Sequence, residues 1–474
     1  MPPDRPRHDT RLLAEPDFRD VDPRLLAIAR TVRAAGGRAL FVGGQVRDRL
    51  LGRSSTDVDM EVFGLGLEEV ETVLGSYGRT RKVGRSFGVI RVDGLDADFS
   101  LPRRDNKTGR GHRGFSIDIA PDLDFTAAAR RRDFRVNSMG FDPLTGEVLD
   151  PHDGRADLAA GRLRATDRAH FAEDPLRGLR AAQFAARFEL EPDGELVALA
   201  ARLDLGELAA ERVYAELRKL LLLGVRPAIG FAFLRTTGLV RFFPEVEALI
   251  GVPQDPRWHP EGDVWNHTLM ALDRAADLRR GDAGDEPLMF AVLCHDFGKP
   301  AATTEALRSP GHDREGVEPA QRFLRRLRAP GRLTEQVCAL VRDHLAPARF
   351  VRDGAGPSAY RRLARRLDAA GADLELLARV ATADHLGRTT RAAREGRFRE
   401  GSTFLERARA ALPGLAPAAP AVLGRHLIAR GFEPGPQLGR LLAACRKVQD
   451  ETGWSDPDSI IDRALGGTPE PPDP

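Results

Sequence analysis

Asp57 and Asp59, in the run Ser55-Thr-Asp-Val-Asp59, stand two residues apart, a spacing that puts both carboxylates on one face of an extended chain. Carboxylates so placed hold hard cations. Two such ions are what nucleotidyl transfer needs, one to activate the attacking hydroxyl and one to neutralise charge on departing pyrophosphate. An Asp-x-Asp pair alone is also an ordinary solvated strand edge, so its surroundings decide. Upstream, Phe41-Val-Gly-Gly44-Gln-Val-Arg47-Asp48 reads as a strand, a glycine turn and a helix start whose backbone N–H groups can meet phosphate oxygens. Gly44 permits close approach and Arg47 offers a bidentate phosphate clamp. The alternation of its own strand places Asp98 as a third carboxylate beside the pair.

A second constellation is Asp174 and Arg177, in Glu173-Asp-Pro-Leu-Arg177. Spaced i, i+3 on a helix, an acceptor and a donor can face one base together. Cytosine and adenine each present an amino donor beside a ring-nitrogen acceptor, whereas uracil and guanine present a carbonyl beside a ring N–H. The pair therefore matches C and A, at about 1–3 kcal/mol of discrimination per bidentate contact. The same residues also fit a plain helix start, with Asp174 as N-cap and Pro175 in the first turn.

A third group is metal-binding in type. His267 is followed by the adjacent pair His295-Asp296, then by His312, His344 and Asp384. Imidazole nitrogens and carboxylate oxygens in one set suit a divalent ion.

These residues require three kinds of scaffold. Pro23–Ala35 predicts a helix with Leu25, Leu26, Ile28, Ala29 and Val32 on its apolar face, ended by Gly36-Gly37. Ala39–Val42 predicts a strand, Val46–Leu51 a short helix, and Gly88–Asp93 and Ala97–Phe99 further strands. From Leu158 onward helical runs take over, such as Leu176–Phe188 and Arg212–Leu223. Gly251–Gly262 separates a further helical segment starting near Val264, and Leu412–Pro420 reads as a linker. The segment 466–474 is expected to be disordered.

Composition bounds the class. The chain has 474 residues, 42% apolar and 30% charged, with a net charge of +2. That length calls for several domains, and the small net charge means that any RNA surface must come from local clustering. The basic residues are nearly all Arg, with lysine only at Lys82, Lys107, Lys219, Lys299 and Lys447. Cys294, Cys338 and Cys445 form no CxxC pair and are read as small core residues. No apolar run reaches membrane-spanning length, and Met1–Asp9 lacks a signal-peptide core, so a cytoplasmic protein without a membrane partner is expected.

The Gly-Gly-x-Val-Arg-Asp run with its downstream Asp-x-Asp resembles the class II tRNA nucleotidyltransferases (CCA-adding enzymes) and bacterial poly(A) polymerases. Further matches are Leu101-Pro-Arg-Arg104, the Gly-rich stretch Gly109–Gly114, and Arg130-Arg-Arg-Asp133-Phe-Arg-Val-Asn137. In the last of these, Arg135 and Ser138 stand where the family has Thr and Ala. By resemblance Arg131, Arg132 and Asp133 lie near the ribose and triphosphate, with Asn137 close by. Asp174 and Arg177 form the Glu-Asp-x-x-Arg base-selecting motif, Arg180 is a phosphate or base contact, and Glu211–Glu216 buttresses the neck. Leu293–Lys299 resembles the HD phosphohydrolase superfamily, with His267, His295, Asp296 and Asp384 as ligands and His312 and His344 as outer or substrate-facing groups. In some bacterial tRNA nucleotidyltransferases such a domain hydrolyses 2′,3′-cyclic phosphates and nucleotides. Gly431 to Gly439 resembles a C-terminal element of the family.

The resemblance implies an α+β fold: a flexible N-terminus (1–22), a mixed-sheet nucleotidyltransferase head (23–150), an all-helical neck (151–250), an HD-type helical domain (251–390) and a helical tail in contact with tRNA (391–465). It implies CCA addition to tRNA from CTP and ATP, Mg2+ in the head, and Mn, Ni or Mg in the HD site; a homodimer is left open. Three alternatives stay open at this point: a poly(A) polymerase or CC- or A-only enzyme, an HD metal phosphohydrolase with a non-catalytic head, and a pure RNA-binding protein.

Overall fold

The computed structural model describes residues 11, 13–53, 58–83, 88–107 and 115–466. Asp57, the stretch Gly109–Gly114, Met1–Asp9 and the C-terminal 467–474 lie outside the described residues.

The helix Pro23–Ala34 forms as its sequence predicts: the Asp22 carboxylate accepts from Arg24 N–H, Pro23 opens the first turn, and Leu25, Ile28, Ala29 and Val32 are buried. Its chain reverses at Gly36, where φ is 92°. There follow β1 (Arg38–Val42), β2 (Asp59–Phe63), β3 (Thr80–Val83), β4 (Val89–Val92), β5 (Asp98–Ser100), a separate hairpin of β6 (Arg103–Lys107) and β7 (Phe115–Ile119), then β8 (Gly140–Phe141) and β9 (Val148–Leu149). The main sheet runs β3-β4-β5-β2-β1-β8-β9. Its pairs are antiparallel except β2 with β5, which makes the sheet mixed, as expected. In that parallel pair Asp59 stands opposite Asp98.

Two compact units divide the chain: residues 1–225 with 229–242, and 226–228 with 243–474. The neck helices Leu176–Phe188 and Ala210–Leu223 belong to the first unit with the sheet. Phe184 joins them to the head segment, its ring 5.3 Å from that of Phe134. The region read as all-helical also contains a two-residue parallel pairing, Arg162–Leu163 with Glu191–Pro192, too short to show as alternation in the sequence.

In the second unit the helix Val264–Asp277 is capped by the Asp263 carboxylate. The helix Asp285–Cys294 is apolar on all sides because it is buried on all sides. Close approach to the helix Leu374–Leu386 depends on Gly387: a Cβ there would sit 2.7 Å from the Ala271 backbone. The tail folds around its own small core of Val422, Leu427, Cys445, Ile460 and Ile461. It is tied back by Arg365, whose guanidinium lies 2.6 Å from the Asp450 carboxylate. Cys294 and Cys445 are buried and all three thiols are free. Among the described residues no helix is long and apolar enough to cross a membrane.

Gly387→Ala is expected to cost about 1–3 kcal/mol in urea unfolding, because the obstacle is backbone that cannot rotate away. Gly331→Ala, where nothing lies within 4 Å of the added methyl, should stay within about 0.5 kcal/mol. Equal effects would contradict the packing argument.

Candidate active sites

In the head, β1 delivers the chain to Gly43, whose φ is 78°. That backbone conformation favours glycine, and a Cβ there would also lie 2.7 Å from Arg132 Nη1. The next strand opens with exposed Asp59, and Glu61, two residues on, shares its face. Glu61 is 0% exposed. Its Oε1 lies 2.7 Å from Arg131 Nη2 and its Oε2 3.3 Å from Arg132 Nη2. Burial alone would raise the Glu61 pKa, but the two guanidinium groups outweigh it and hold the carboxyl below its ordinary value. Sequence reasoning missed this residue; a lone acid among apolar strand residues was the available signal.

The Asp98 carboxylate beside Asp59 is engaged by Arg91 across the strand pair, with Nη2 3.0 Å from Oδ2. Gln45 donates to the Asp59 carbonyl at 2.6 Å, which fixes the short helix Gly44–Leu50 against β2.

Arg47, read from the sequence as a phosphate clamp, is turned inward. It is 3% exposed, donates to the Asp48 and Asn137 side chains, and packs its guanidinium 4.2 Å from the Phe188 ring centre. The aromatic face and the two acceptors out-compete solvent for it. Asn137 is likewise used internally, donating to Asp133 Oδ1 at 2.9 Å. The other Asp133 oxygen accepts from Arg180 Nε at 2.7 Å, and Arg180 also faces Glu216 at 3.8 Å. Burial would raise the Asp133 pKa, yet Arg180 and Asn137 hold it below the usual range.

The Arg177 N–H donates to the Asp174 carbonyl at 3.0 Å, but the two side chains go to different partners. Asp174 accepts from the Leu176 N–H at 3.1 Å, the helix-start role, and is braced by Arg212 at 3.0 Å. Arg177 donates to the carbonyls of His170 and Arg131, each at 2.8 Å. Arg131 Nε and Arg132 Nε are buried without a hydrogen-bond partner, a pair of unsatisfied donors suited to an anion.

In the second unit four histidines follow one pattern. The Nδ1 atoms of His267, His295, His312 and His344 lie 2.8, 2.7, 2.7 and 2.7 Å from the Glu261 carboxylate and the carbonyls of Val292, Ser309 and Val341. Each of those oxygens can only accept, so each Nδ1 carries a proton and each Nε2 is left for the partners on its other side. These Nε2 atoms converge on Asp296. His267, His295 and Asp296 form one mutually close trio, and Asp296, His312 and His344 another, all ligand atoms within 4.8 Å in each. Asp384 Oδ1 lies 3.0 Å from His267 Nε2. Gly298 lets the segments meet, since a Cβ there would lie 2.2 Å from the His312 carbonyl.

Lone pairs facing carboxylates repel unless a cation or proton lies between them. Both Asp296 oxygens and His344 Nε2 are buried without hydrogen-bond partners, although Lys299 Nζ lies 2.8 Å from Asp296 Oδ2. Burial disfavours charge on His295, but Asp296 and Asp384 outweigh it and raise its pKa. Burial, with His312 and His295 nearby, pushes His344 down to about 4, leaving it neutral. Burial would raise Asp296 and Asp384, but neighbouring cationic groups hold both well below the carboxylate range. The donor set therefore fits divalent ions, with Asp296 shared between two positions. His312 and His344, with Asp296, make one of the two groups whose atoms could hold such an ion. Glu261 and His259 were not anticipated; the run Trp258-His-Pro-Glu261 was their signal.

Residues 39–164 match the family described as the poly A polymerase head domain, 187–250 that described as "Probable RNA and SrmB- binding site of polymerase A", and 264–373 the HD domain. The chain is 38% identical over 428 residues to a multifunctional CCA protein of Halorhodospira halophila, covering 86% of this chain and 95% of that one. It is 36% identical over 418 residues to that of Xanthomonas oryzae pv. oryzae, covering 86% and 96%. Among solved structures, the Bacillus stearothermophilus CCA-adding enzyme in complex with CTP shares the fold at a TM-score of 0.66 and 24% identity, covering 94% of this chain and 96% of that one. The Thermotoga maritima CCA-adding enzyme complexed with tRNA does so at 0.57 and 17%, with the same coverages.

Removing Glu61 leaves two buried guanidinium groups without a counter-charge, so Glu61→Ala should destabilise the first unit by about 3–5 kcal/mol. Because the folded carboxyl titrates below its ordinary 4.5, its stabilisation is complete above that value and is lost as pH falls through the lowered one. Urea midpoints measured down the acid range should therefore fall less steeply for Glu61→Gln than for wild type; superimposable acid profiles would argue against the ion triad.

Proposed function

This chain belongs to the multifunctional CCA protein family and is a nucleotidyltransferase that adds CCA to tRNA, and we propose how its residues divide the work. The observation that carries the reading is the pair of unsatisfied donors, Arg131 Nε and Arg132 Nε, aimed by Glu61 from the strand face that also bears Asp59. These donors receive the triphosphate of CTP or ATP. Asp57 and Asp59 would hold Mg2+, with Asp98 adjoining; such ions would supply activation of the tRNA 3′-hydroxyl and neutralisation of charge on the departing pyrophosphate. Asp174 and Arg177 select the base, and their bracing by Arg212 and by the Arg131 carbonyl gives a selector rigid enough to work without a nucleic-acid template. Arg47, Asn137 and Arg180 hold this selector to the head rather than touching substrate. The tRNA substrate implies the cytoplasm.

For the second unit the reading is a divalent-metal phosphohydrolase acting on nucleotide phosphates, with Mn, Ni or Mg held by His267, His295, Asp296 and Asp384 and a second ion by Asp296, His312 and His344. A metal so held would supply polarisation of the phosphoryl oxygen and a nucleophile at neutral pH. The histidine Nδ1 bonds fix the ring orientations in advance.

With tRNA lacking its CCA end, CTP and ATP, wild type should restore C, C and A in order; long A tails would favour a poly(A) polymerase. Replacing both Asp57 and Asp59 by Ala should abolish incorporation and leave cyclic-phosphate hydrolysis intact, while His295→Ala should do the reverse. Loss of both activities in either variant would show that the units are not chemically separate.

Asp174→Ala should relax selection against UTP by about 5- to 150-fold, the loss of one bidentate contact, measured as the ratio of CTP to UTP incorporation. An unchanged ratio would remove Asp174 from base choice.

A further inference from the structure

Trp258 is 63% exposed, an unusual position for the largest apolar side chain. It lines a cavity of about 700 Å³ that also contains Asp296, His312 and His344. Its position is fixed from behind. The backbone N–H groups of Trp258 and His259 both bond the Asp255 carbonyl, at 3.0 and 2.9 Å, and the His259 ring packs edge-on against His267, centroids 4.7 Å apart. The indole thus stands on the same short turn that anchors a metal-ligating histidine, and its exposure is not that of a loose loop.

Resting on the phosphohydrolase reading of this unit, we propose that Trp258 is the platform on which the nucleobase of the substrate stacks while its phosphate lies at Asp296. Arg308 supplies the second half of the recognition. It lines the same cavity and makes no side-chain hydrogen bond or close ion pair among the described residues, so its guanidinium is available to a phosphate. The other polar side chains near the indole are committed. Gln254 bonds Lys299 and the Gly262 carbonyl, Arg257 is paired with Asp255, and Ser309 with Thr303. Among the described residues, these polar neighbours of Trp258 in the cavity wall are thus engaged within the protein. The site therefore distinguishes nucleotides from other phosphate esters without distinguishing one base from another, which is what stacking alone delivers. This contrasts with the neck, where Asp174 and Arg177 are polar readers.

The test compares adenosine 2′-monophosphate with glycerol 2-phosphate, a phosphomonoester without a base, on the full-length metal-loaded protein. Trp258→Ala should raise KM for the nucleotide by about 5- to 150-fold, leave kcat within about twofold, and leave glycerol 2-phosphate hydrolysis unchanged. Trp258→Phe should restore most of the nucleotide KM, and the four nucleoside 2′-monophosphates should differ little in kcat/KM. Equal losses on both esters, or no loss on either, would overturn the proposal. Tryptophan fluorescence gives an arm that needs no turnover: adenosine 2′-monophosphate should quench wild type and not Trp258→Phe. If wild type hydrolyses neither ester, the phosphohydrolase reading fails, and the quenching titration alone then decides the stacking, with an absence of quenching overturning it.

Discussion

The buried carboxylate of Glu61, shared between two guanidinium groups, is the interaction on which the first unit depends. A carboxylate stripped of water costs several kcal/mol unless it is paired on both oxygens, and here it is. The consequence is positional. Arg131 and Arg132 are held to β2, two residues beyond Asp59, and the residues around them are tied elsewhere: the Arg131 carbonyl to Arg177, Arg132 to the glycine turn, and Asp133 to Arg180. Three consecutive residues thus connect the strand that bears Asp59, the glycine turn and the neck helix that starts after Asp174. Long Arg side chains lose much entropy when ordered, and the ion pairs offset that cost before substrate arrives.

The second unit reaches preorganisation by another route. Its histidines are oriented by hydrogen bonds from Nδ1 to backbone carbonyls at helix ends and to Glu261. His295 and His344 both follow the last residue of a helix and bond the carbonyl three residues back, a position where the helix leaves carbonyls unsatisfied. The backbone supplies three of these partners and the Glu261 side chain the fourth, and the repulsion left at Asp296 is what a cation relieves.

Local patterns were legible in the sequence wherever the signal was itself local. Pro23–Ala34, Leu176–Phe188 and the helix start at Val264 follow from caps and periodicity. The side-chain partnerships were not, because they join residues far apart in the chain. Glu61 meets Arg131 seventy positions on, and no spacing rule announces that. Arg47 was read as a phosphate ligand from its place after Gly-Gly; the ring of Phe188 and the amide of Asn137, invisible at that range, draw it inward. Asp98 could be set on the correct strand by alternation, but its register with Asp59 and its engagement by Arg91 are properties of the sheet. In the second unit the histidines and aspartates that come together could be picked out in the chain, whereas the place of Asp296 in two trios required the fold.

A crystal structure of the protein with CTP and Mg2+ tests the central claim most directly, since it shows where the two arginines go when a triphosphate arrives. Glu61 should still hold both Nη2 atoms while Arg131 Nε and Arg132 Nε take up triphosphate oxygens. A Glu61 swung onto a metal ion, with both arginines released from it, would contradict the account.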